Sequence, residues 1–435
     1  MTSLKGIALV ATFLLLAQAA PAQVSFLDAT NYNTGVGLSL DPEPTAIAAG
    51  DFTEDGAVDL VVANKDDATI QLLINSGLGI FVPATTIDVD DFSGMDDTAQ
   101  RQARPSRRPY ALVVDDFDAD THLDVAVALL GTDQVVVFLG NGNGTFAAGT
   151  SYVVGDAPMA IAAGNFDGAN GPDLVTANDN DDTVSILMNN GDGTFTAAAD
   201  VSVEIIASTR SRPQGVVTGD FDGDGNVDVA VTLFDRDAVD LLFGDGTGAF
   251  PFFDTEIPGL GPIAIASADL DGDGFLDLVV GNSNSDDVSV LLNDGTANFA
   301  AAVNYPAGNY PGALSLGDIN GDGFTDIVTA NFEGDSVAVL AGVGDGTFGA
   351  PVSFTVGGGP AGVALGLYNS DADLDIATAN QQDNNVSVLL AGSAVVPPII
   401  PQCGVACGPL GLMPMLLTLL GLLGLKQHQR RYNRR

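Results

Sequence analysis

The chain has 435 residues, of which 56 are acidic and 14 are basic, so its formal charge at pH 7 is −42. Such an acidic surface repels nucleic acid and anionic membranes, which excludes both as partners of the acidic region. The 46% hydrophobic content argues against disorder, the common alternative for a highly charged chain.

The first segment is typical of a secretory signal. Lys5 precedes the apolar run 6–16, and Ala20-Pro21-Ala22 fits a small-residue cleavage site. We therefore predict a signal peptide over residues 1–22 and an exported protein, at the surface of a bacterial cell or secreted from it.

Residues 23–396 are predicted to form one repeat array. Within them, seven prolines are each followed seven residues later by the start of a short, mostly acidic loop: Pro44, Pro109, Pro158, Pro213, Pro262, Pro311 and Pro360. Successive loop starts are 65, 49, 55, 49, 49 and 49 residues apart. In six of the units a phenylalanine lies thirty residues after the loop start. A register this regular is typical of repeat architectures.

The fifth unit illustrates the predicted blade. Its short strands are Ile263–Ala266, Leu278–Val280, Val288–Leu292 and a fourth that opens at Phe299. Turns rich in Gly, Asp and Asn separate them. Four short strands in about 50 residues, with no helical periodicity, indicate an antiparallel meander.

The ends of the array distinguish a closed propeller from a linear solenoid. The seventh unit has a third strand, Val386–Leu390, but Pro397-Pro398 follow where a fourth would lie. The segment Phe26–Tyr32 resembles residues 299–305 and supplies a spare fourth strand. We predict an all-β, seven-bladed β-propeller of four-stranded antiparallel blades, closed by the N-terminal strand completing the last blade. A solenoid would instead need polar caps, and none is visible.

The acidic loops have the composition of calcium sites. In the fourth loop, carboxylates occupy positions 1, 3, 5 and 9: Asp220, Asp222, Asp224 and Asp228. Gly225 at position 6 permits a left-handed turn, and Asn226 would contribute its backbone carbonyl. Calcium takes about six to eight oxygen ligands and tolerates this kind of flexible cage, whereas magnesium keeps its water.

Three more loops carry comparable sets of ligands. These are Asp116, Asp118, Asp120 and Asp124; Asp269, Asp271, Asp273, Phe275 (through its carbonyl) and Asp277; and Asp318, Asn320, Asp322, Phe324 (through its carbonyl) and Asp326. Two loops are less complete: Asp51, Thr53, Asp55 and Asp59; and Asn165, Asp167 and Asp173. The seventh begins at Leu367 and is expected to lack metal. We predict Ca²⁺ at four loops and incomplete sites at two; plain acidic turns are the alternative.

The fourth loop, Gly219–Val229, and its equivalents at Asp269 and Asp318 resemble the FG-GAP (VCBS-type) repeats of integrin α-chain β-propellers and their secreted bacterial relatives. The resemblance extends over residues 24–396. It implies a seven-bladed propeller with calcium in the loop between the first and second strands. It implies no particular ligand, because propellers host unrelated functions.

Catalysis is not expected from the sequence. The predicted propeller contains one histidine, His122, which lies in an acidic loop, and no cysteine, so it offers no Ser–His or Cys–His pair. A two-carboxylate polysaccharide lyase or hydrolase is an alternative, although the absence of tryptophan weakens the case for a sugar-stacking cleft. A structural surface-layer component is a further alternative. We expect a binding or adhesion module.

Insertions before blades 2 and 4 suggest where a ligand binds. They carry most of the basic residues of the array, including Arg107, Arg108, Arg210 and Arg212. In the same blades Leu129 and Leu233 replace the asparagine that ends strand 2 elsewhere. Meander topology places both the insertions and the replaced asparagines on the face opposite the acidic loops. We predict a site there for an anionic or mixed protein or glycan partner; the alternative is that the arginines pair with nearby aspartates.

The C-terminal region divides into a spacer with two cysteines (397–408), an apolar segment (409–425) and a basic tail (426–435). This order resembles the C-terminal sorting signals of bacterial surface proteins. An apolar run of seventeen residues is near the lower limit for a bilayer span, so a permanent anchor is the alternative. We expect membrane contact only through this segment, before processing.

Overall fold

The computed structural model describes residues 24–34, 42–89, 107–203 and 210–392. The predicted signal peptide, spacer, apolar segment and basic tail all lie outside these ranges. Among the described residues no helix has the length and apolarity needed to cross a membrane.

The described residues form seven antiparallel sheets. Blade 1 is β2 (Pro44–Gly50), β3 (Asp59–Asn64), β4 (Thr69–Asn75) and β5 (Phe81–Asp88); blade 2 is β6 (Pro109–Asp115), β7 (Asp124–Leu129), β8 (Gln134–Phe138) and β9 (Thr150–Val153). Blade 3 is β10 (Pro158–Gly164), β11 (Asp173–Asn178), β12 (Thr183–Asn189), β13 (Phe195–Ala197) and β14 (Val201–Ser202). Blade 4 is β15 (Pro213–Gly219), β16 (Asp228–Leu233), β17 (Ala238–Phe243) and β18 (Phe252–Glu256).

Blades 5 to 7 follow the same order. Blade 5 is β19 (Pro262–Ala268), β20 (Asp277–Asn282), β21 (Asp287–Leu291) and β22 (Val303–Pro306); blade 6 is β23 (Pro311–Gly317), β24 (Asp326–Asn331), β25 (Ser336–Leu340) and β26 (Val352–Thr355). Blade 7 is β27 (Pro360–Gly366), β28 (Asp375–Asn380), β29 (Asn385–Leu389) and β1 (Thr30–Asn33). The predicted all-β, seven-bladed propeller is confirmed.

The N-terminal strand completes blade 7, as the sequence predicts. Strand β1 pairs antiparallel with β29, from Thr30 opposite Val388 to Asn33 opposite Asn385. Phe26 adds an isolated bridge to Ala391. Blades 7 and 1 then share a core in which Tyr368 packs against Phe81, with ring centroids 5.5 Å apart. The ring is therefore closed by contacts between the two ends of the described chain.

The sequence predicts that the fourth strand of blade 5 begins at Phe299, but in the structure it begins at Val303. Phe299 forms only an isolated bridge to Asn293. The next residue, Ala300, donates its amide proton to the Leu292 carbonyl at 2.7 Å, and this bond interrupts the regular pairing of the two strands. The side chain of Phe299 is 8% exposed and belongs to the core between blades 4 and 5.

The regularly spaced phenylalanines join neighbouring blades. At five of the seven boundaries such a ring meets the aromatic residue at position 2 of the preceding blade's loop: Phe52 with Phe146, Phe117 with Phe195, Phe166 with Phe250, Phe221 with Phe299 and Tyr368 with Phe81. Their ring centroids lie 5.4 to 6.4 Å apart, within the range of favourable aromatic pairs. The thirty-residue register thus reflects packing between blades.

A second link joins the blades on the face away from the acidic loops. The residue 24 positions after each proline is the last residue of the turn between strands 2 and 3, and it has a left-handed conformation. At six of the seven boundaries its side-chain oxygen accepts the amide proton of the residue before the next blade's proline. Between blades 4 and 5, the Gly261 amide donates to Asp237 at 2.8 Å. Asn384 accepts from Glu43 at 3.0 Å and closes the ring.

We expect Asp237→Ala to lower the free energy of unfolding by about 1–2 kcal/mol, because it removes the inter-blade acceptor and places alanine in a left-handed conformation. Asp237→Asn is the control, since it keeps an oxygen and tolerates that conformation. Urea unfolding of both variants measures the effect. Equal losses in the two variants would show that the hydrogen bond contributes nothing.

Candidate metal centres and the opposite face

The acidic loops connect strands 1 and 2 of each blade and line one rim of the propeller. Position 9 of each loop is the first residue of strand 2, which is wholly buried in every blade. Positions 1 to 8 form the turn outside the ladder. The fold therefore fixes one end of the loop in the core and leaves the other carboxylates at the rim.

Three loops gather three carboxylates closely enough to hold a cation. One oxygen of each member lies within 4.8 Å of the others in the sets Asp116, Asp118, Asp124; Asp220, Asp222, Asp228; and Asp269, Asp271, Asp273. These belong to three of the four loops predicted to bind Ca²⁺. The set of hard oxygen donors suits calcium.

Backbone amides hold the carboxylates of the fourth loop in place. Asp220 accepts amide protons from Gly223 at 2.8 Å and Gly225 at 3.0 Å, and Asp222 accepts from Asp224 at 3.1 Å. Gly225 has φ of 90°, a conformation that L side chains rarely adopt. Each carboxylate oxygen has a second lone pair, so these bonds leave acceptor capacity for a cation. The residues present fit a calcium ion.

The aspartate at position 9 has a structural function that sequence reasoning missed. In blade 4 both of its oxygens accept backbone amides, Oδ2 from Phe221 and Oδ1 from Gly244, each at 2.8 Å. The same pair of bonds recurs at Asp124, Asp173, Asp277, Asp326 and Asp375. Asp375 lies in the loop expected to lack metal, so the bonds do not depend on a ligand set.

Burial perturbs these carboxylates. Loss of solvation raises the pKa of Asp228 from 3.8 to about 6, against the opposing effect of its two backbone hydrogen bonds, and the nearby Asp222 and Asp220 raise it further. The pKa values of Asp124, Asp277, Asp326 and Asp375 rise to about 6 for the same leading reason.

The remaining loops bring fewer oxygens together. In the third loop Asn165 Oδ1 is buried without a hydrogen-bond partner among the described residues. In the first loop the Thr53 hydroxyl donates to Asp59 at 3.3 Å. In the sixth loop Asn320 accepts from the Asp322 amide at 2.9 Å. Leu367, at position 1 of the seventh loop, is 45% exposed. Metal in the first, third and sixth loops, and its absence from the seventh, stay predictions.

The arginines of the predicted ligand site lie on the opposite face and contact neighbouring groups. Arg107 donates to the Val89 carbonyl at 3.1 Å, and Arg108 lies 3.8 Å from Asp66. Arg210 and Arg212 both pair with Asp179, at 3.1 and 3.0 Å. These pairs favour the alternative that the arginines neutralise nearby acids, and a role in ligand capture stays a prediction.

Comparisons with known proteins agree with this architecture. The model of the FG-GAP-like repeat family matches residues 165–231, 220–280, 269–329 and 318–378. No curated protein sequence matches the chain.

Among solved structures, a streptogramin B lyase is 15% identical with a TM-score of 0.57, over 84% of this chain and 98% of the lyase. Virginiamycin B lyase from Staphylococcus aureus is 11% identical with a TM-score of 0.56, over 85% and 100%. BBS1N, solved in complex with ARL6DN, is 13% identical with a TM-score of 0.54, over 85% and 98%. Likeness at this identity shows the fold alone.

We expect Asp375→Asn to lower the free energy of unfolding by about 1–3 kcal/mol, equally with and without calcium. The substitution replaces one of the two accepting oxygens by an NH2 group, so that a side-chain donor faces a backbone donor. Asp371→Asn is the matched control from position 5 of the same loop, where the carboxylate is exposed. Denaturant unfolding measures both. An unchanged Asp375→Asn protein would contradict the structural role.

The raised pKa values make the metal-free propeller lose stability as pH rises. With a folded-state pKa near 6 against the ordinary 3.8, the folded state holds extra protons, and the resulting stabilisation is complete below pH 3.8 and lost as pH rises through 6. Calorimetry of metal-free protein should give a lower Tm at pH 7 than at about pH 4.5, and calcium should reverse this order. A metal-free Tm that rises with pH would contradict the assignment.

Proposed function

Because the chain is a seven-bladed propeller built of FG-GAP-like repeats, we propose that it is an exported, calcium-binding module for adhesion or ligand capture. The observation that carries the proposal is the clustering of three carboxylates within 4.8 Å in loops of blades 2, 4 and 5. Proteins with such repeats are often extracellular, which suits a calcium-dependent module.

Calcium would be held by the carboxylates of these loops, with Asp222, Asp271 and their equivalents at the rim and Asp228 and its equivalents at the buried end. When bound, the cation supplies positive charge that offsets the repulsion between carboxylates. Loops of the extracellular class bind calcium at about 10⁻⁴–10⁻³ M, so external calcium would keep them filled.

Stiffening a loop affects the adjacent blade. The carbonyl at position 2 of the first loop accepts the Gly144 amide of blade 2 at 2.8 Å, and that of the fifth loop accepts the Gly346 amide of blade 6 at 3.1 Å. Asn75 of blade 1 donates to the Tyr368 carbonyl of blade 7 at 2.7 Å. A filled rim thus keeps the blades in register, and the opposite face keeps its shape for a protein or glycan partner.

We propose that the module is not an enzyme. Within the described part of the chain the one histidine is His122, whose Nδ1 contacts Glu54 and whose Nε2 lies 4.0 Å from Asp120, among the acidic loops. The likeness to lyases concerns the fold and carries no activity to this chain. Turnover on a polysaccharide panel would favour the lyase or hydrolase alternative, and self-assembly without capture the surface-layer alternative.

The proposal is tested by probing a glycan and protein array with the purified chain, with calcium and with a chelator. We expect saturable capture that calcium supports, together with a chelator-induced fall in Tm, because the unneutralised loops repel each other. An unchanged Tm on chelation would contradict the metal assignment, and no capture in either condition would contradict the binding function.

The predicted arginine site is tested on the same array. Joint replacement of Arg107, Arg108, Arg210 and Arg212 by alanine should abolish capture and leave the calcium-dependent change in Tm intact. Arg236→Ala is the control, since Arg236 lies in blade 4 and pairs with Asp240 at 3.8 Å but is outside the predicted site. Unaltered capture by the quadruple variant would limit the arginines to pairing with neighbouring acids.

A further inference from the structure

A cavity of about 610 Å³ lies at the centre of the propeller. Its walls are formed by residues from the second to the fourth position of the first strands, one of which comes from each blade. Residues of the turns between strands 2 and 3 of blades 6 and 7 also line it. Because both sets lie at the end of the blade opposite the acidic loops, the cavity occupies that face.

The charge on the lining of the cavity is negative. It contains no lysine or arginine, and its one charged residue is Glu333. Three aromatic rings line it as well, those of Tyr110, Tyr310 and Phe332. Tyr310 and Phe332 lie side by side with ring centroids 5.9 Å apart. An anion would find no basic partner among these residues.

Glu333 differs from its equivalents in other blades. Counting from the proline, the same turn position holds Asp66 in blade 1 and Asp235 in blade 4. Asp66 lies 3.8 Å from Arg108, and Asp235 lies 3.6 Å from Arg212. Within the described ranges Glu333 has no basic partner, and it is exposed beside Phe332. The insertions with arginines thus neutralise two of these acids and leave the cavity's own carboxylate unpaired.

Two glutamine side chains on the cavity lining donate to carboxylates. Gln214 Nε2 donates to Asp179, and Gln381 Nε2 donates to Glu43 at 3.0 Å. No described residue donates to either Oε1, and each Nε2 keeps a second N–H. Each amide can therefore both accept from and donate to a polar group of a ligand.

Tyr310 lies at a position whose backbone conformation is common to the whole fold. It precedes Pro311 with φ of 56°, and the residue before the first-strand proline is left-handed in every blade. The Asp286 oxygen accepts the Tyr310 amide proton at 2.9 Å, as in the other inter-blade bonds. Blade 6 differs from the others in placing an aromatic ring at this position, on the wall of the cavity.

From these features the geometry points to an organic ammonium ion as the ligand of the central cavity. Aromatic faces attract a desolvated cation through their quadrupole, most strongly when several rings and a carboxylate surround it. The chain's net charge of −42 raises the local concentration of cations. The inference rests on the proposed function as a binding module and names the chemistry of a ligand on that module's non-metal face.

The test compares a cation with its neutral isostere on the full chain in millimolar calcium. Choline and 3,3-dimethyl-1-butanol have nearly the same shape and differ in charge. Isothermal titration should show choline binding at least about tenfold more tightly than the alcohol, and added salt should weaken it. Equal binding of the two, preferential binding of a neutral monosaccharide, or no binding of choline would each overturn the inference.

Variants locate the site. Glu333→Gln and Phe332→Leu should each weaken choline binding about tenfold without changing Tm by more than the control. The control is Phe253→Leu, an aromatic residue of β18 that is 56% exposed and remote from the cavity lining. Choline binding that survives both cavity variants would overturn the assignment. Failure with choline alongside calcium-supported capture on the array would remove this ligand class and leave the proposed function in place.

Discussion

The buried aspartate that begins strand 2 is the interaction on which the rest of the propeller depends. Its carboxylate lies in the core, where an unpaired charge is costly, and it is retained because two backbone amides donate to it. One donor belongs to the acidic loop and the other to the residue sixteen positions on, at the end of strand 3 or just after it, as at Asp326. A single side chain therefore fixes the turn between strands 1 and 2 and the exit from strand 3.

The same residue links structure to chemistry. Two backbone amides use part of the acceptor capacity of Asp228, and one of its oxygens lies within 4.8 Å of oxygens of Asp220 and Asp222. In the seventh blade Asp375 keeps the structural bonds although Leu367 removes the first ligand. The anchoring function of this position is thus separable from the metal binding that we propose for the other loops.

Much of the fold could be predicted from the sequence, because three of its features are visible in short stretches of residues. These are the spacing of the repeats, the missing fourth strand of the last unit and the residues of the turns. Phe26–Tyr32 was recognisable as a fourth strand by its likeness to residues 299–305, and the structure confirms it. The structural role of Asp228 was not predictable, since the sequence alone does not show whether a carboxylate accepts backbone amides or is available to a cation. Asp237 was missed because its inter-blade hydrogen bond depends on a left-handed backbone conformation that the spacing of residues does not reveal.

The completion of blade 7 by β1 has a mechanical consequence. Strand β29 lies between β28 and β1, and residues beyond it continue toward the C-terminus. Tension on that end would load β29 in shear against antiparallel ladders on both of its edges at once, so several hydrogen bonds would have to rupture together. The same tension on a blade whose outer strand came last in the chain would peel the ladder one bond at a time. Pairing of β29 with both β28 and β1 therefore means that two ladders, and not one, resist its extraction from the ring.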